Sequence, residues 1–229
     1  MTGEDDPPVW EFQPKHRWSV KNHILSGICV GSWLRMCWRF RREIDWKMYW
    51  HRMLFLTFMS VFNSFLALFD TFFYRGKIYQ QDLNPRPVFI LGHPRTGTTH
   101  LHNLLSLDKD QFTFSNTFHV GFPSSFLCHE KWGSKLLAPI LDDRRPMDNM
   151  KLDFQIPQED ELAHNVLSSG RSPYMPLVLP REEKTFRPYF TFDEDVCPPE
   201  EYQEWLDSFL YFFKKVSSLL DEGTAGWCH

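Results

Sequence analysis

The stretch Val88-Phe89-Ile90-Leu91-Gly92-His93-Pro94-Arg95-Thr96-Gly97-Thr98-Thr99 determines the fold that we expect for this chain of 229 residues. Its first four residues are apolar and partly β-branched, and a glycine ends the run, which is typical of a buried parallel strand. After Thr98, leucines recur at helical spacing. A strand, a glycine loop and a helix in this order aim backbone N–H groups and a helix N-terminus at one spot, where an anion binds. The sequence therefore predicts an α/β fold with a P-loop-like parallel sheet flanked by helices.

The loop departs from the nucleotide-binding pattern G-x-x-x-x-G-K-S/T at one position. Gly92, Gly97 and the hydroxyl of Thr99 match it, but Thr98 stands where that pattern has lysine. ATPases and GTPases use that lysine on the nucleotide phosphates and the hydroxyl on magnesium. Here the cation is Arg95, whose guanidinium can fork onto the oxygens of a phosphosulfate and neutralise charge as the sulfuryl group departs. We therefore expect a donor that needs no metal, and we predict no metal site.

The segment from Pro87 to Leu105 resembles the start of a sulfotransferase domain of the type that carries Pro-Arg-Ser/Thr-Gly-Thr-Thr. The resemblance continues through Arg145-Pro146-Met147-Asp148-Asn149, Gln158-Glu159-Asp160-Glu161 and Ser172-Pro173-Tyr174, and covers roughly residues 50 to 220. It implies 3′-phosphoadenosine 5′-phosphosulfate (PAPS) as the sulfuryl donor. In the better-known cytosolic members a lysine takes the place of Arg95. The predicted donor-binding residues are His93, Pro94, Arg95, Thr96, Gly97, Thr98 and Thr99.

Sulfuryl transfer to a hydroxyl also needs a group that takes the proton of the acceptor. Glu159 is the first candidate, because a helix starting at Pro157 would place it on the apolar face. The alternative role for Glu159 is that of a first-turn carboxylate that interacts with the helix dipole. His119 is the second candidate, although a single histidine in apolar surroundings is commonly a hydrogen-bonded core residue. The predicted catalytic residues are thus Arg95, Glu159 and His119, and His102 near the loop could contact donor or acceptor.

Aromatic residues make up 17% of the chain and are concentrated between Trp33 and Tyr79. The segment 53–69 contains no charged residue and is just long enough to cross a bilayer. Three interpretations remain open: a buried helix, a helix lying in the membrane interface, and a membrane span. Five basic residues precede the segment and would suit anionic lipid: Arg39, Arg41, Arg42, Lys47 and Arg52.

The expected organisation has four parts. Residues 1–23 form an irregular tail, and residues 24–83 form an aromatic-rich helical extension for which membrane association is left open. Two prolines in Asn84-Pro85-Arg86-Pro87 stop any helix, so the sulfotransferase domain is placed at 84–220. It ends in a strongly amphipathic helix after Pro198-Pro199, and residues 221–229 form a polar stub.

The resemblance also implies two segments that this sequence does not contain. In the family, the last helix is followed by a strand with a Lys-Ser-Pro-like segment and later by an Arg-Asp-Pro-like segment that holds the 3′-phosphate of the donor. We therefore expect a sheet that is incomplete at the C-terminus, as in a truncated form, an incomplete gene model or a splice product. Such a chain should bind PAPS weakly and turn over little.

Composition excludes several other classes of protein. The net charge of −4 and the lack of a long basic run argue against nucleic acid as a partner. Five scattered cysteines fit neither a disulfide framework nor a zinc site. The first residues do not resemble a secretory signal, which predicts a cytoplasmic or membrane-associated location.

Three functions remain open on these grounds. The first is a sulfotransferase acting on the hydroxyl of a small molecule, lipid or glycan, with a membrane surface as a further partner. The second is a P-loop nucleotide kinase or NTPase, against which the missing lysine at Thr98 argues. The third is a non-enzymatic fragment that binds a membrane or a protein partner through its aromatic helices.

Overall fold

The computed structural model describes residues 18–93, 95–145, 149–193 and 195–224, and the chain within these ranges is helical. The α-helices are α1 (Val30–Arg39), α2 (Trp46–Gln80), α3 (Thr98–Leu105), α4 (Thr117–Gly121), α5 (Phe126–Leu136), α6 (Glu161–Leu167), α7 (Glu183–Phe186) and α8 (Pro199–Thr224). Turns of 3-10 helix occur at Ala138–Ile140, Met175–Leu177, Pro180–Glu182 and Arg187–Phe190.

The predicted parallel sheet is wrong for the described residues. They contain no β-strand, and their β pairing is limited to the isolated antiparallel bridges Asn116–Pro157 and Arg144–Lys151. The run Val88–Leu91, which was expected to be a buried strand, has no regular structure, and its Val88 and Leu91 are 63% and 88% exposed. A parallel strand is stable only where neighbouring strands complete its hydrogen bonds and helices cover both faces. Within the described residues this run has neither, so its apolar pattern alone does not make a strand.

Helix α2 is the longest element, with 35 residues and a length of about 52 Å. Asp45 caps it by accepting a hydrogen bond from the backbone N–H of Met48 at 2.9 Å, and the helix is kinked at Tyr49. From Leu56 to Asp70 its buried side chains recur at helical spacing, mostly every three or four residues, so one face lies in the core. By length and composition α2 is able to cross a membrane, with a mean hydropathy of 1.6 in its most apolar window.

The core consists of two clusters of buried apolar side chains, and α2 contributes to both. Leu56 packs into the first cluster with residues from α1, α6 and the turns near α7, and Met59 packs into the second with residues from α4, α5 and α8. The backbone also approaches closely at Gly27, where a Cβ would lie 1.7 Å from the carbonyl oxygen of Gly121. Helices α1 and α2 therefore share one interior with the helices that follow the loop.

Two fully buried charges join α2 to α8. Lys215 donates to the carboxylate of Asp70 at 2.9 Å and to the carbonyl oxygen of Pro123 at 2.8 Å. Asp70 also accepts the backbone N–H groups of Leu127 and Cys128, at 3.1 and 2.9 Å, which open helix α5. Burial lowers the pKa of Lys215, and the facing Asp70 carboxylate opposes that shift.

The amphipathic helix expected near the C-terminus is confirmed as α8, which buries Phe212 and Val216. It continues to Thr224, four residues into the segment that the sequence assigns to a polar stub. Residues 225–229 lie outside the described ranges. Residues 18–23, from the expected N-terminal tail, form turns, and residues 1–17 also lie outside those ranges.

Candidate donor and acceptor site

The loop between Leu91 and α3 has the backbone of an anion site. Arg95 and Gly97 both have positive φ, +72° and +95°, and such alternating left-handed residues direct neighbouring N–H groups to one side. The backbone N–H and the hydroxyl of Thr96 both donate to the carbonyl oxygen of His93, at 3.2 and 2.6 Å, which closes the turn. Pro94, one of the predicted donor-binding residues, lies outside the described ranges.

Helix α3 follows the loop directly, and two glycines, Gly92 and Gly97, shape the backbone at this junction. Gly97 is the N-cap and carries no side chain to accept the first-turn N–H groups of α3, so these groups can donate to an anion. A Cβ on Gly92 would lie 2.6 Å from Cγ2 of Thr98 and 2.8 Å from Oγ1 of Thr96. Residues 95–97 are exposed and Thr98 and Thr99 are half-buried, so the loop is open to a ligand.

A second guanidinium lies at the loop. Arg145 donates from Nη1 to the hydroxyl oxygen of Thr99 at 3.5 Å. The backbone N–H of Arg145 donates to the carbonyl oxygen of Met150, and the carbonyl oxygen of Arg145 accepts the backbone N–H of Asn149, each at 2.9 Å. Arg145 lies in a segment that carries the family resemblance, but no role was predicted for it. The Arg-Pro-Met-Asp-Asn match was the signal that could have identified it.

Glu159 lies just before α6 and contacts a tyrosine. The prediction that its helix starts at Pro157 is wrong: residues 156–158 pair with residues 115–117, since Thr117 donates to Ile156 and Gln158 to Ser115. This extended pairing delays the helix to Glu161. The Glu159 carboxylate instead accepts a short hydrogen bond from the hydroxyl of Tyr174. Burial raises the pKa of Tyr174, and Glu159 raises it further, so the tyrosine keeps its proton.

The two acidic residues after Glu159 have different environments. Burial favours the neutral acid at Asp160, but the hydrogen bond and charge interaction with His164, together with smaller contributions from the backbone and His102, outweigh it and lower the pKa of Asp160. Burial raises the pKa of Glu161, although the hydroxyl of Ser172 donates to its carboxylate at 2.6 Å. Asp160 and Glu161 thus differ in their affinity for a proton although they are adjacent in the chain.

His102 links the loop to this acidic segment. It lies on α3, four residues after Thr98, with its ring 6.1 Å from the ring of Phe114. Burial lowers the pKa of His102, and the negative charges of Asp160 and Glu159 oppose that shift. The imidazole is therefore mostly neutral at pH 7 and close enough to both carboxylates to interact with them. The helical spacing of α3 predicts that His102 lies on the same face as Thr98. It does not predict that residues 159–160 approach His102, because that contact is long-range.

His119, the second candidate for the base, is buried at α4. Its Nδ1 accepts the backbone N–H of Asn116 at 3.3 Å as part of a capping box, and its Nε2 lies 2.9 Å from a carboxylate oxygen of Glu130. Burial favours the neutral form of Glu130, but hydrogen bonds from His119, Asn116 and Gln155 outweigh it and lower the pKa of Glu130. Both ring nitrogens of His119 thus contact protein groups.

One group of side chains among the described residues has the spacing of metal ligands. Ligand atoms of Asp70, Cys128 and His129 lie within 4.8 Å of one another. Asp70 already binds Lys215 and the first N–H groups of α5, and Nδ1 of His129 contacts the carbonyl oxygen of Ser125 at 2.9 Å. These contacts explain why the three side chains lie close together, because Asp70 caps the start of α5.

The loop, its helix and the segments that meet them define a class of protein. The profile of the Sulfotransferase family matches residues 87–184, which include the loop, Arg145, Glu159 and Tyr174. The chain belongs to the sulfotransferase family.

Two curated relatives are similar over most of the chain. The omega-hydroxy-beta-dihydromenaquinone-9 sulfotransferase Stf3 of Mycobacterium bovis is 30% identical over 193 residues, which cover 84% of this chain and 48% of the relative. The protein of the same name from Mycobacterium tuberculosis gives the same values. The chain therefore spans about half the length of the curated relatives it matches. No solved structure matches it significantly.

Proposed function

We propose that this chain carries the 5′-phosphosulfate site of a PAPS-dependent sulfotransferase that acts on a hydroxyl acceptor. The observation that carries the proposal is the loop, in which two left-handed residues, an uncapped helix start and Arg95 come together. Arg145 at Thr99 adds a second guanidinium for the phosphosulfate oxygens. Family membership supports the same assignment.

In the proposed reaction the acceptor oxygen forms a bond to sulfur while the bond from sulfur to the bridging oxygen of the phosphosulfate breaks. The electron pair of that bond stays with the 5′-phosphate of the departing 3′-phosphoadenosine 5′-phosphate (PAP). Arg95 and the first N–H groups of α3 stabilise the charge that develops there. The acceptor proton passes to a base.

Glu159 is the base that we propose. Its carboxylate is half-buried, it lies near His102 on the helix that begins at the loop, and the hydroxyl of Tyr174 fixes its position. His119 is less suited, because it is buried and contacts Asn116 and Glu130 through its two ring nitrogens. Proton transfer requires a base within hydrogen-bond reach of the acceptor.

For the acceptor we propose a lipid alcohol. The relatives carry the name of a menaquinone derivative with an omega-hydroxyl, which is an apolar molecule with a terminal hydroxyl. Radiolabelled PAPS can be offered with a polyprenyl alcohol, a simple phenol or a glycan. Transfer to the polyprenyl alcohol is the expected result, and transfer to the glycan alone would contradict the choice of a lipid.

The test of the donor site is an arginine variant. Arg95→Asn removes the guanidinium and keeps a residue that tolerates the left-handed backbone. It should weaken PAPS binding on the order of 10- to 100-fold, because hydrogen bonds to charged groups are worth about 1.5–3 kcal/mol. Saturation-transfer NMR measures this even if binding is weak, and the exposed Arg181→Asn is the matched control.

The same titrations test the remaining alternatives. Weak binding of PAP is the expected result for this chain, and micromolar binding would show that its residues also hold the 3′-phosphate. Binding and hydrolysis of ATP with magnesium, without binding of PAPS, would favour a nucleotide kinase or NTPase and contradict the proposal.

A further inference from the structure

The side of α2 that faces away from the core carries an uninterrupted row of apolar side chains. We call it the outer row, and it consists of Trp50, Leu54, Phe58, Val61, Phe65, Leu68 and Phe72. These side chains are between 56% and 82% exposed. The row runs about 33 Å along the helix, at steps of three and four residues. A contiguous exposed apolar surface of this kind is typical of a protein or membrane interaction site.

Cations lie at both ends of the outer row, and α2 carries a single acidic residue, Asp70, which is buried. Lys47 is exposed one turn before the row, and Arg41 and Arg42 are exposed in the preceding turn, which also contains Glu43 and Asp45. Arg75 is exposed after the row. The positive ends and the absence of exposed acids along α2 complement a negatively charged surface.

A cavity at the C-terminal end of the outer row also combines cations with apolar side chains. It measures about 310 Å³ and is lined by residues of α2 and α8: Thr71, Arg75, Ile78, Tyr79, Tyr211 and Lys214. Lys214 also donates to the carbonyl oxygen of Tyr79 at 3.3 Å. Two cations beside apolar and tyrosine side chains are suited to a phosphate headgroup at the edge of an apolar surface.

The opposite face of α2 argues against a passage across the bilayer. Asn63 donates to the carbonyl oxygen of Ser26 at 2.7 Å, Asp70 pairs with Lys215, and Lys77 donates to the carbonyl oxygen of Ser218 at 2.9 Å. The contacts of Asn63 and Asp70 lie along the same part of the helix as the outer row, and the contact of Lys77 lies just beyond its end. A spanning α2 would carry them and α8 into hydrocarbon.

We infer that the outer row lies in the plane of an anionic lipid bilayer, with the flanking cations at the headgroups. Aromatic side chains on one face and cations beside them are the pattern of interfacial helices. This inference does not depend on the sulfuryl-transfer chemistry. It also places the protein at the surface where a lipid alcohol would be found.

The experiment is vesicle flotation of the full chain. It should float with vesicles of phosphatidylcholine and phosphatidylserine and less with phosphatidylcholine alone. The triple variant Phe58→Gln, Phe65→Gln and Phe72→Gln should lower the partition coefficient on the order of 1,000-fold, since burial of each phenylalanine is worth about a factor of ten. Glutamine is a good helix former, so α2 should persist. Circular dichroism checks that it does.

Leu107→Gln, Leu136→Gln and Leu177→Gln form the matched control, because these leucines are 77%, 59% and 72% exposed elsewhere. That variant should bind as the unmodified chain does.

A charge variant tests the surface independently. Lys47→Gln with Arg75→Gln should weaken binding to the anionic vesicles roughly 10- to 30-fold, because each cation near such a surface is worth about 1 kcal/mol. Lys109→Gln with Lys184→Gln makes the same charge change at exposed positions of other elements and should have little effect.

Four results would overturn the inference. They are the absence of vesicle binding, equal binding by the triple variant, resistance of the bound chain to alkaline extraction, and a soluble dimer that the triple variant dissociates. The third result would indicate a span and the fourth a second copy of the chain on the outer row.

Discussion

Asp70 and Lys215 are fully buried where α2 meets α8, whereas Arg95, Thr96 and Gly97 in the loop before α3 are exposed. In the first region the carboxylate contacts one ammonium and two backbone N–H groups, so its hydrogen bonds are made within the protein. In the second region the backbone is held open by left-handed residues and the helix start has no side-chain cap. Polar groups satisfied inside the protein stabilise the fold, and polar groups presented to solvent are available to a ligand.

Two histidines differ in the same way, because His119 is buried with its partners and His102 lies near the open loop. His119 lies in the core and contacts Glu130 and the backbone of Asn116. His102 is half-buried, and it lies near Glu159 and Asp160 from the helix that starts at the loop. Substitutions in the first region should therefore change stability, and substitutions in the second should change binding or turnover.

The largest effect is expected for Lys215→Met, which keeps a similar volume but leaves the buried Asp70 without its cation. The free energy of unfolding should fall by about 3–5 kcal/mol, because an unpaired buried charge is costly. Urea denaturation measures the loss. Adding Asp70→Asn should recover part of it.

Lys21→Met is the control for this variant, because Lys21 forms an exposed ion pair with Asp142 at 3.2 Å. Such pairs contribute about 0–1 kcal/mol. If the Lys215 and Lys21 variants lost equal stability, the buried pair would not hold α2 against α8.

Glu159→Gln should have the next largest effect, on turnover rather than on stability. Glutamine can still accept the hydrogen bond of Tyr174 but cannot take a proton at neutral pH. The rate of radiolabelled sulfuryl transfer should fall about 100-fold, at the low end of what a general base supplies. Binding of PAPS should be retained.

His119→Gln should have the opposite effect to Glu159→Gln, a loss of stability without a loss of turnover. It should cost about 1–3 kcal/mol of stability, because Glu130 loses a buried partner, while the rate per folded molecule stays unchanged. A loss of turnover with His119→Gln and none with Glu159→Gln would reverse the assignment of the base.

The sequence predicted the parts of this structure that depend on local spacing. The loop followed by a helix at Thr98, and the amphipathic helix before Leu220, are both set by glycine and by apolar residues at helical intervals. The sheet could not be predicted from Val88–Leu91, because a strand depends on partners that a local pattern does not contain. The late start of α6 has the same cause, since the pairing of residues 156–158 with residues 115–117 is a long-range contact.

The candidate site was predictable to a similar extent. The glycines and Arg95 are adjacent in sequence, so their pattern is informative. The contact of Tyr174 with Glu159 joins residues 15 positions apart, and the approach of His102 to the acidic segment spans a larger separation. The burial of Asp70 could not be foreseen either, because Lys215 lies 145 positions away.

The last expected effect is at His23, and it appears only as the pH is lowered. Burial and, to a smaller extent, the charge of Arg52 lower the pKa of His23 from 6.5 to about 4. The neutral ring accepts the backbone N–H of Leu25 at 3.3 Å through Nδ1. Since the unfolded chain takes up this proton at a higher pH than the folded chain, the contribution to stability is complete above pH 6.5. It is lost as the pH falls toward 4.

Across that interval His23 should account for about 2 kcal/mol, below the limit set by about 1.4 kcal/mol per pKa unit, because the ring is partly exposed. His23→Asn keeps an acceptor for Leu25 and removes the titration, so its unfolding free energy should decline less between pH 6.5 and 4. His100→Asn, at an exposed position, should follow the unmodified chain. If the unfolding free energy of all three proteins declined equally with falling pH, the interior would not hold His23 neutral. This position would then differ from the polar groups around Asp70, whose hydrogen bonds are made within the protein.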